Sequence, residues 1–325
     1  MKRKKKIIWL VIGLIVLFAL TGFFKMYFFN DESSLDLKKV RIGYVNRDTF
    51  IALKNRELVE EKLRREGITV EWTEFEDEIQ IYQALEQGSL DFGKVGDAVP
   101  AFLHSGKKAP LYLAAEPSNP NARAIAVSVD SGIKGIEDLI GKKVAYAKFS
   151  NEHYFLLQML TKNGLGVEAL DEIDSVEVSS EEARELFEKG EVDAWIVSEP
   201  EVSQLEDLKY PLLFDNELEA NSDVYLTTKD NIKERKRVFI TLMEAVSEFD
   251  EYLTNDIHLA AEDLFQNTKI AHAVWLSVFE RETYGSSSFF NGMIQEQQEK
   301  VDFLFENQLI KKNFRVADEV VILEE

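Results

Sequence analysis

VAYAKFSNEHYFLLQML, Val144 to Leu160, begins with the small and β-branched residues of a buried strand and ends with the apolar spacing of a helix. Strand passes to helix through four consecutive polar residues, Ser150, Asn151, Glu152 and His153. A helix start exposes unpaired N–H groups and a partial positive charge. The join therefore reads as an ordinary cap, an anion seat or the setting of a catalytic His, and local sequence does not choose among the three.

The same alternation extends in both directions. Toward the N-terminus, Val40 to Val45, Val70 to Phe75, Leu90 to Val95, Pro110 to Ala115 and Ala124 to Val129 have the pattern of strands. Between the first three lie helices, Leu53 to Glu66 stopped by Gly67, and a shorter one marked by Ile79, Tyr82 and Leu85 and ended by Gly88. Toward the C-terminus, Lys143 to Ala147, Ser175 to Val178 and Ala194 to Val197 read as strands, with helices over His153 to Asn163 and Glu181 to Lys189. Strands and helices taking turns predict parallel sheets with helical crossovers. Pro117 to Asn121 is the strongest loop signal and separates two such α/β units. Beyond Asn231 the pattern changes to long amphipathic helices: Lys233 to Thr254, Ile257 to Gln266, Lys269 to Thr283 and Phe290 to Asn307. Two α/β lobes followed by helices predict a bilobed protein with a cleft.

The first 30 residues are of another kind. Lys2 to Lys6 are all basic, and Ile7 to Phe24 is an 18-residue run without a charge. Such a run is long enough to cross a bilayer. No A-x-A-like site follows it, so an uncleaved anchor is expected rather than a removed signal peptide, with residues 1–30 as cytoplasmic flank and membrane helix and residues 31–38 as spacer. The basic flank should stay in the cytoplasm, which puts everything after Phe29 on the extracytoplasmic side. That external part holds 32 Lys and Arg against 59 Asp and Glu, about −27, so nucleic acid is not an expected partner. Cys is absent, which excludes disulfides, thiolate metal sites, Cys nucleophiles and the usual lipid attachment.

Catalytic motifs are missing. The four His (His104, His153, His258, His272) have no metal-ligand spacing, and there is neither a phosphate-loop motif nor a G-x-S-x-G elbow. No catalytic residue, metal or cofactor is expected, and the chain is not read as an enzyme.

Taken in order, the stretches RIGYVNRDTFIALKNRE, EFEDEIQIYQALEQGSLDFGKVGDAVP, AAEPSNPNA, GIKGIEDLIGKKVAYAKFSNEHYFLLQML, GEVDAWIVSEPE and IQEQQEKVDFLFENQLIKKNFRVADEVVI resemble the aliphatic-sulfonate-binding proteins of ABC importers, related to the taurine- and thiamine-precursor-binding proteins. The resemblance spans Val40 to Ile322. It implies a bilobed periplasmic-binding-protein-like type II fold with two parallel-rich sheets and a central cleft. Lobe 1 would comprise residues 39–123 plus 223–325 and lobe 2 residues 124–222, with hinges at the crossovers near Asn119 to Ala124 and Asn221 to Tyr225. It further implies a monomeric extracytoplasmic receptor that captures a small organic anion and delivers it to a permease with its cytoplasmic ATPase. A membrane-tethered sensor on the same fold and a binder of thiamine-precursor-like heterocycles are the other readings. Enzymes on this scaffold depend on Cys, which is absent here.

The resemblance also nominates residues. Gly96-Asp97 and Ser150, Asn151 and His153 would open two helices toward the cleft, their dipoles favouring an anionic group. Asn46, Arg47 and Thr49 follow the first strand, and Glu116 precedes the crossover loop. Glu199 stands where the family has an acid in a W-D-P-[YF] segment. Here Ser198 and Glu201 replace the two aromatics, which removes apolar wall area and predicts a ligand whose tail is polar or cationic.

Overall fold

The computed structural model describes residues 36–215, 218 and 222–323. The expected membrane helix over residues 7–29 lies outside them. Among the described residues no helix is long and apolar enough to cross a membrane.

The chain lays down β1 (Lys39–Val45), β2 (Thr69–Phe75), β3 (Phe92–Gly96) and β4 (Leu111–Ala115) in one sheet. It then passes to a second sheet for β5 (Arg123–Val127), β6 (Lys143–Tyr146), β7 (Asp174–Glu177), β8 (Ala194–Ser198) and β9 (Leu212–Leu213). It returns to the first for β10 (Asp223–Thr227) and β11 (Ser287–Ser288). The helices in order are α1 (Phe50–Asn55), α2 (Leu58–Arg64), α3 (Glu78–Glu86), α4 (Ala98–Leu103), α5 (Asn151–Lys162), α6 (Ser180–Glu188) and α7 (Glu201–Asp207). Then come α8 (Lys229–Asn255), α9 (Ile257–Thr268), α10 (His272–Arg281) and α11 (Asn291–Glu306).

The first sheet has the order β11-β4-β10-β3-β1-β2 and the second β7-β6-β8-β5-β9. Both are mixed, which corrects the expectation of parallel-rich sheets. Strands joined by helical crossovers are parallel, Ile42 lying beside Trp72 and Phe92. The two strands that arrive from the other lobe are antiparallel to their neighbours, Val224 facing Val95 and Ile125 facing Ile196. Each is an interior strand that enters its sheet from the end at which the parallel strands finish and therefore runs the opposite way.

Every position of β3 and β4 is buried, as suits central strands covered on both faces. On one face Phe50, Phe92 and Tyr225 stack with centroids 5.9 to 6.3 Å apart, each pair contributing about 1 kcal/mol beyond burial. On the other face Ile81, Tyr82 and Tyr112 fill the layer under α3 and α4. Buried Asp91 ties the layers together, accepting from Arg41 at 2.8 and 2.9 Å and pairing with Arg235 on α8 at 3.0 Å. Burial works to raise the Asp91 pKa, but the Arg41 hydrogen bonds outweigh it and hold the carboxyl below its usual range.

Two expected helices differ. Leu53 to Glu66 is two helices, because Glu57 takes a left-handed φ of 54° that ends one and starts the next. Lys269 also turns left-handed (φ 64°), closing α9 and delaying α10 to His272. Neither residue is the Gly or Asn that usually announces such a turn.

Candidate ligand-binding cleft

Helix α5 decides how the two lobes meet. Phe155, Leu156, Met159 and Leu160 face the core of the second sheet, whereas Tyr154 and Leu157 belong to the core of the first. Tyr154 meets Phe303 of α11 edge-on at 5.6 Å. Packed this way, the helix brings its N-terminus to the C-terminal ends of β1 and β3. A cavity of about 620 Å³ opens there between the lobes.

Ser150 caps α5. Its Oγ accepts from the N–H groups of Glu152 and His153 and donates to Ala147 O at 2.7 Å. Asn151 reaches across the lobes, accepting from Ala98 N at 2.8 Å and donating to Ser222 O at 3.3 Å. The two helix starts thus meet by bonding to each other. Gly96 makes this possible, since a Cβ there would lie 2.4 Å from the Asn151 amide nitrogen. Asp97 points into lobe 1, paired with Lys300 at 2.5 Å and accepting from Ser222 N at 3.0 Å. His153 is sandwiched between Phe102 (4.9 Å) and Tyr146 (5.1 Å). Burial drives its pKa down to about 4, and its Nδ1 accepts from Phe149 N at 3.2 Å. It is a neutral packing residue.

Of the nominated residues, Asn46, Arg47, Thr49, Glu116, Ser150, Asn151 and Glu199 line the cavity, while Gly96, Asp97 and His153 stand behind its wall. Three lining residues close the lobes on one another or brace the floor. Arg47 donates through Nε to Glu201 at 2.5 Å and through Nη2 to Gln204 at 3.2 Å, joining lobe 1 to α7 of lobe 2. Glu199 accepts from Arg281 of α10 at 2.7 Å and from the Ser203 amide and hydroxyl at 3.0 and 2.9 Å. Glu116 accepts from Tyr225 at 2.6 Å, and burial lifts its pKa to about 8.

The sequence reading missed the centre of the floor. Lys94 of β3 lies 3.0 Å from Asp48, 3.3 Å from Asp223 and 3.5 Å from Glu116. Burial alone would neutralise it, but the three carboxylates hold its pKa well above normal. A Lys inside the apolar strand Leu90 to Val95 was the available signal. Trp275 of α10 and Glu282 and Tyr284 of the segment that follows it reach the cavity and carried no local signal at all. Asp48, Glu78 and Asp223 bring oxygens within 4.8 Å of one another, a spacing that fits a cation. The Lys94 ammonium already serves two of the three, so the cluster suits a single positive group better than a divalent metal.

The described residues thus form a bilobed α/β scaffold with a cavity between its two sheets. Residues 63–256 match the NMT1/THI5-like family, and the chain belongs to it. Proteins of Escherichia coli (strain K12) and Bacillus subtilis (strain 168) named aliphatic sulfonates-binding proteins are 26% and 28% identical to it. The first alignment covers 94% of this chain and 96% of the relative, the second 87% and 86%. The alkanesulfonate-binding protein SsuA from Xanthomonas axonopodis pv. citri, bound to MOPS, superposes with a TM-score of 0.81 at 27% identity. That superposition covers 89% of this chain and 99% of the other. The periplasmic aliphatic sulphonate binding protein SsuA of Escherichia coli gives 0.75 at 25%, covering 88% and 93%. These relatives are named as binding proteins and not as enzymes.

Proposed function

We propose that the chain is the extracytoplasmic solute-binding component of an ABC importer, taking a small organosulfonate-type solute in the interlobe cavity and delivering it to a permease and its ATPase. The observation that carries this reading is the 620 Å³ cavity, placed between two lobes on a scaffold shared over 89% of the chain with a ligand-bound alkanesulfonate-binding protein. A cavity of that size lies within the usual range of about 300–1,000 Å³ for small-molecule pockets. The basic residues 2–6 and the apolar run 7–24 support export with retention at the membrane, residues 39–123 plus 223–325 acting as one lobe and 124–222 as the other.

The test is a thermal-shift screen of the full-length chain, purified in detergent, against alkanesulfonates, amino-sulfonates and carboxylates. A ligand present at 100 times its Kd should stabilise the fold by about 2.7 kcal/mol. Failure of every sulfonate to shift the transition, with a carboxylate doing so, would remove the sulfonate assignment.

A further inference from the structure

The cavity wall is strongly unbalanced in charge. Twelve Asp and Glu side chains line it against four cationic side chains, Arg47, Lys94, Arg123 and Arg184; burial raises the pKa of Glu78, Glu116 and Glu282, so the more exposed acids carry the standing excess and a nearby cation is what would ionise the buried ones. Each of the four already has a partner: Arg47 pairs with Glu201, Lys94 with its three carboxylates, Arg184 with the exposed Glu181 at 3.3 Å, and Arg123 is engaged as well, though its buried Nε donates no hydrogen bond among the described residues. The carboxylates are not matched in return. Glu74, Glu76, Asp77, Glu78, Glu152 and Glu282 meet only neutral donors among the described residues, respectively Tyr44, Gln80, Gln80 N, Gly96 N, Ser198 and Tyr284.

The helix starts do not reverse this balance, since the side chains of Ser150 and Asn151 already occupy N–H groups of α5 and α4. Aromatic surface lies in the same space. Phe75, Trp275 and Tyr284 line the cavity beside the carboxylates, and rings with nearby anions are the surroundings in which organic ammonium groups are held. A plain alkyl anion would enter a field of its own sign and find no uncommitted cation, so repulsion would select against it.

Building on the reading of the cleft as a solute site, we infer that the cavity selects a solute carrying a cationic nitrogen, seated beside Glu78, Asp48 and Asp223 against the ring wall. A sulfonate ligand of this protein is then a zwitterion whose positive end faces lobe 1. Lys94 sets the valence of this seat. By neutralising part of the cluster it leaves room for one organic cation and disfavours a doubly charged metal ion.

The experiment is calorimetry on the full-length chain in detergent with three matched probes: propane-1-sulfonate, 3-aminopropane-1-sulfonate and 1,3-diaminopropane. At least one amine probe should bind about ten-fold or more tighter than propane-1-sulfonate. Glu78→Gln should narrow that ratio. Glu76→Gln, an exposed position that threatens folding least, should narrow it to a smaller degree. Equal or tighter binding of propane-1-sulfonate overturns the inference and leaves the solute-binding reading standing. An unchanged ratio in both variants overturns the named seat. Binding of none of the three overturns the inference together with the reading on which it rests.

Discussion

The Arg281–Glu199 pair should be a principal latch between the lobes. Arg281 belongs to α10 of lobe 1 and Glu199 follows β8 of lobe 2; their atoms are 2.7 Å apart, with the Glu199 side chain only 2% exposed and that of Arg281 16%. Burial raises the Glu199 pKa, and the donors from Ser203 and Arg281 work against that rise. Charge centres about 4 Å apart at an effective dielectric near 20 attract by ~4 kcal/mol. Ordering a long Arg side chain costs ~1–2 kcal/mol. The net coupling should therefore be ~2 kcal/mol, below the ~3–5 kcal/mol loss seen when one member of a fully buried pair is removed. Arg281→Met alone should cost more than Glu199→Gln alone, since it leaves a buried carboxylate with only the Ser203 donors. Urea unfolding of the two single variants and the double variant closes the cycle. Small-angle scattering on the same proteins should show the Arg281→Met variant more extended when ligand-free. A coupling under ~0.5 kcal/mol would mean that the pair is a solvated surface contact, and the latch argument would fall.

Two further outcomes follow from residues behind the cavity wall. Gly96→Ala should force the Asn151 amide away from Ala98 N, costing ~1–3 kcal/mol in thermal or urea unfolding and loosening ligand affinity; an unchanged melting curve would show that the lobes tolerate a wider gap. For His153 the folded pKa of about 4 lies below its ordinary 6.5, so the unfolded state binds the proton more readily. Its neutral form supports the fold fully above pH 6.5, and that support is lost as the pH falls from 6.5 toward 4. His153→Phe should be less stable at pH 7.5 by ~1 kcal/mol, from the lost acceptor for Phe149 N. The deficit should vanish or invert by pH 4.5; parallel stability–pH curves for the two proteins would contradict the assignment.

Local pattern and whole-chain structure contributed different things. The alternation around Val144 to Leu160, the Gly stops after the helices and the loop at Pro117 to Asn121 were enough for two α/β lobes, because strand and helix periodicity depend on which face of a short segment is buried. The cap role of Ser150 was one of three readings open at that join, and only the packed structure, with its Oγ on Glu152 N and His153 N, selected it. Strand direction at β5 and β10 was not legible, since it depends on which lobe the chain arrives from. The breaks at Glu57 and Lys269 escaped for a related reason: a left-handed turn at a charged residue is a strain that only the surrounding packing can hold.

The site divides along the same line. Residues next to the ends of β1, β3, β4, β6 and β8 were nominated through the family resemblance, and strand ends of an α/β lobe do face its cleft. Whether each one faces the cavity, spans the lobes or packs behind the wall was decided by distance in three dimensions: Arg47 found Glu201, Asn151 found Ala98, and His153 found two rings. The acidity of the cavity belongs wholly to the tertiary structure. The excess of Asp and Glu is visible in the composition, but only folding gathers Asp48, Glu116 and Asp223 around Lys94 and brings Glu78 and Glu282 into the same lining, where burial raises their pKa and a bound cation is needed to offset their desolvation.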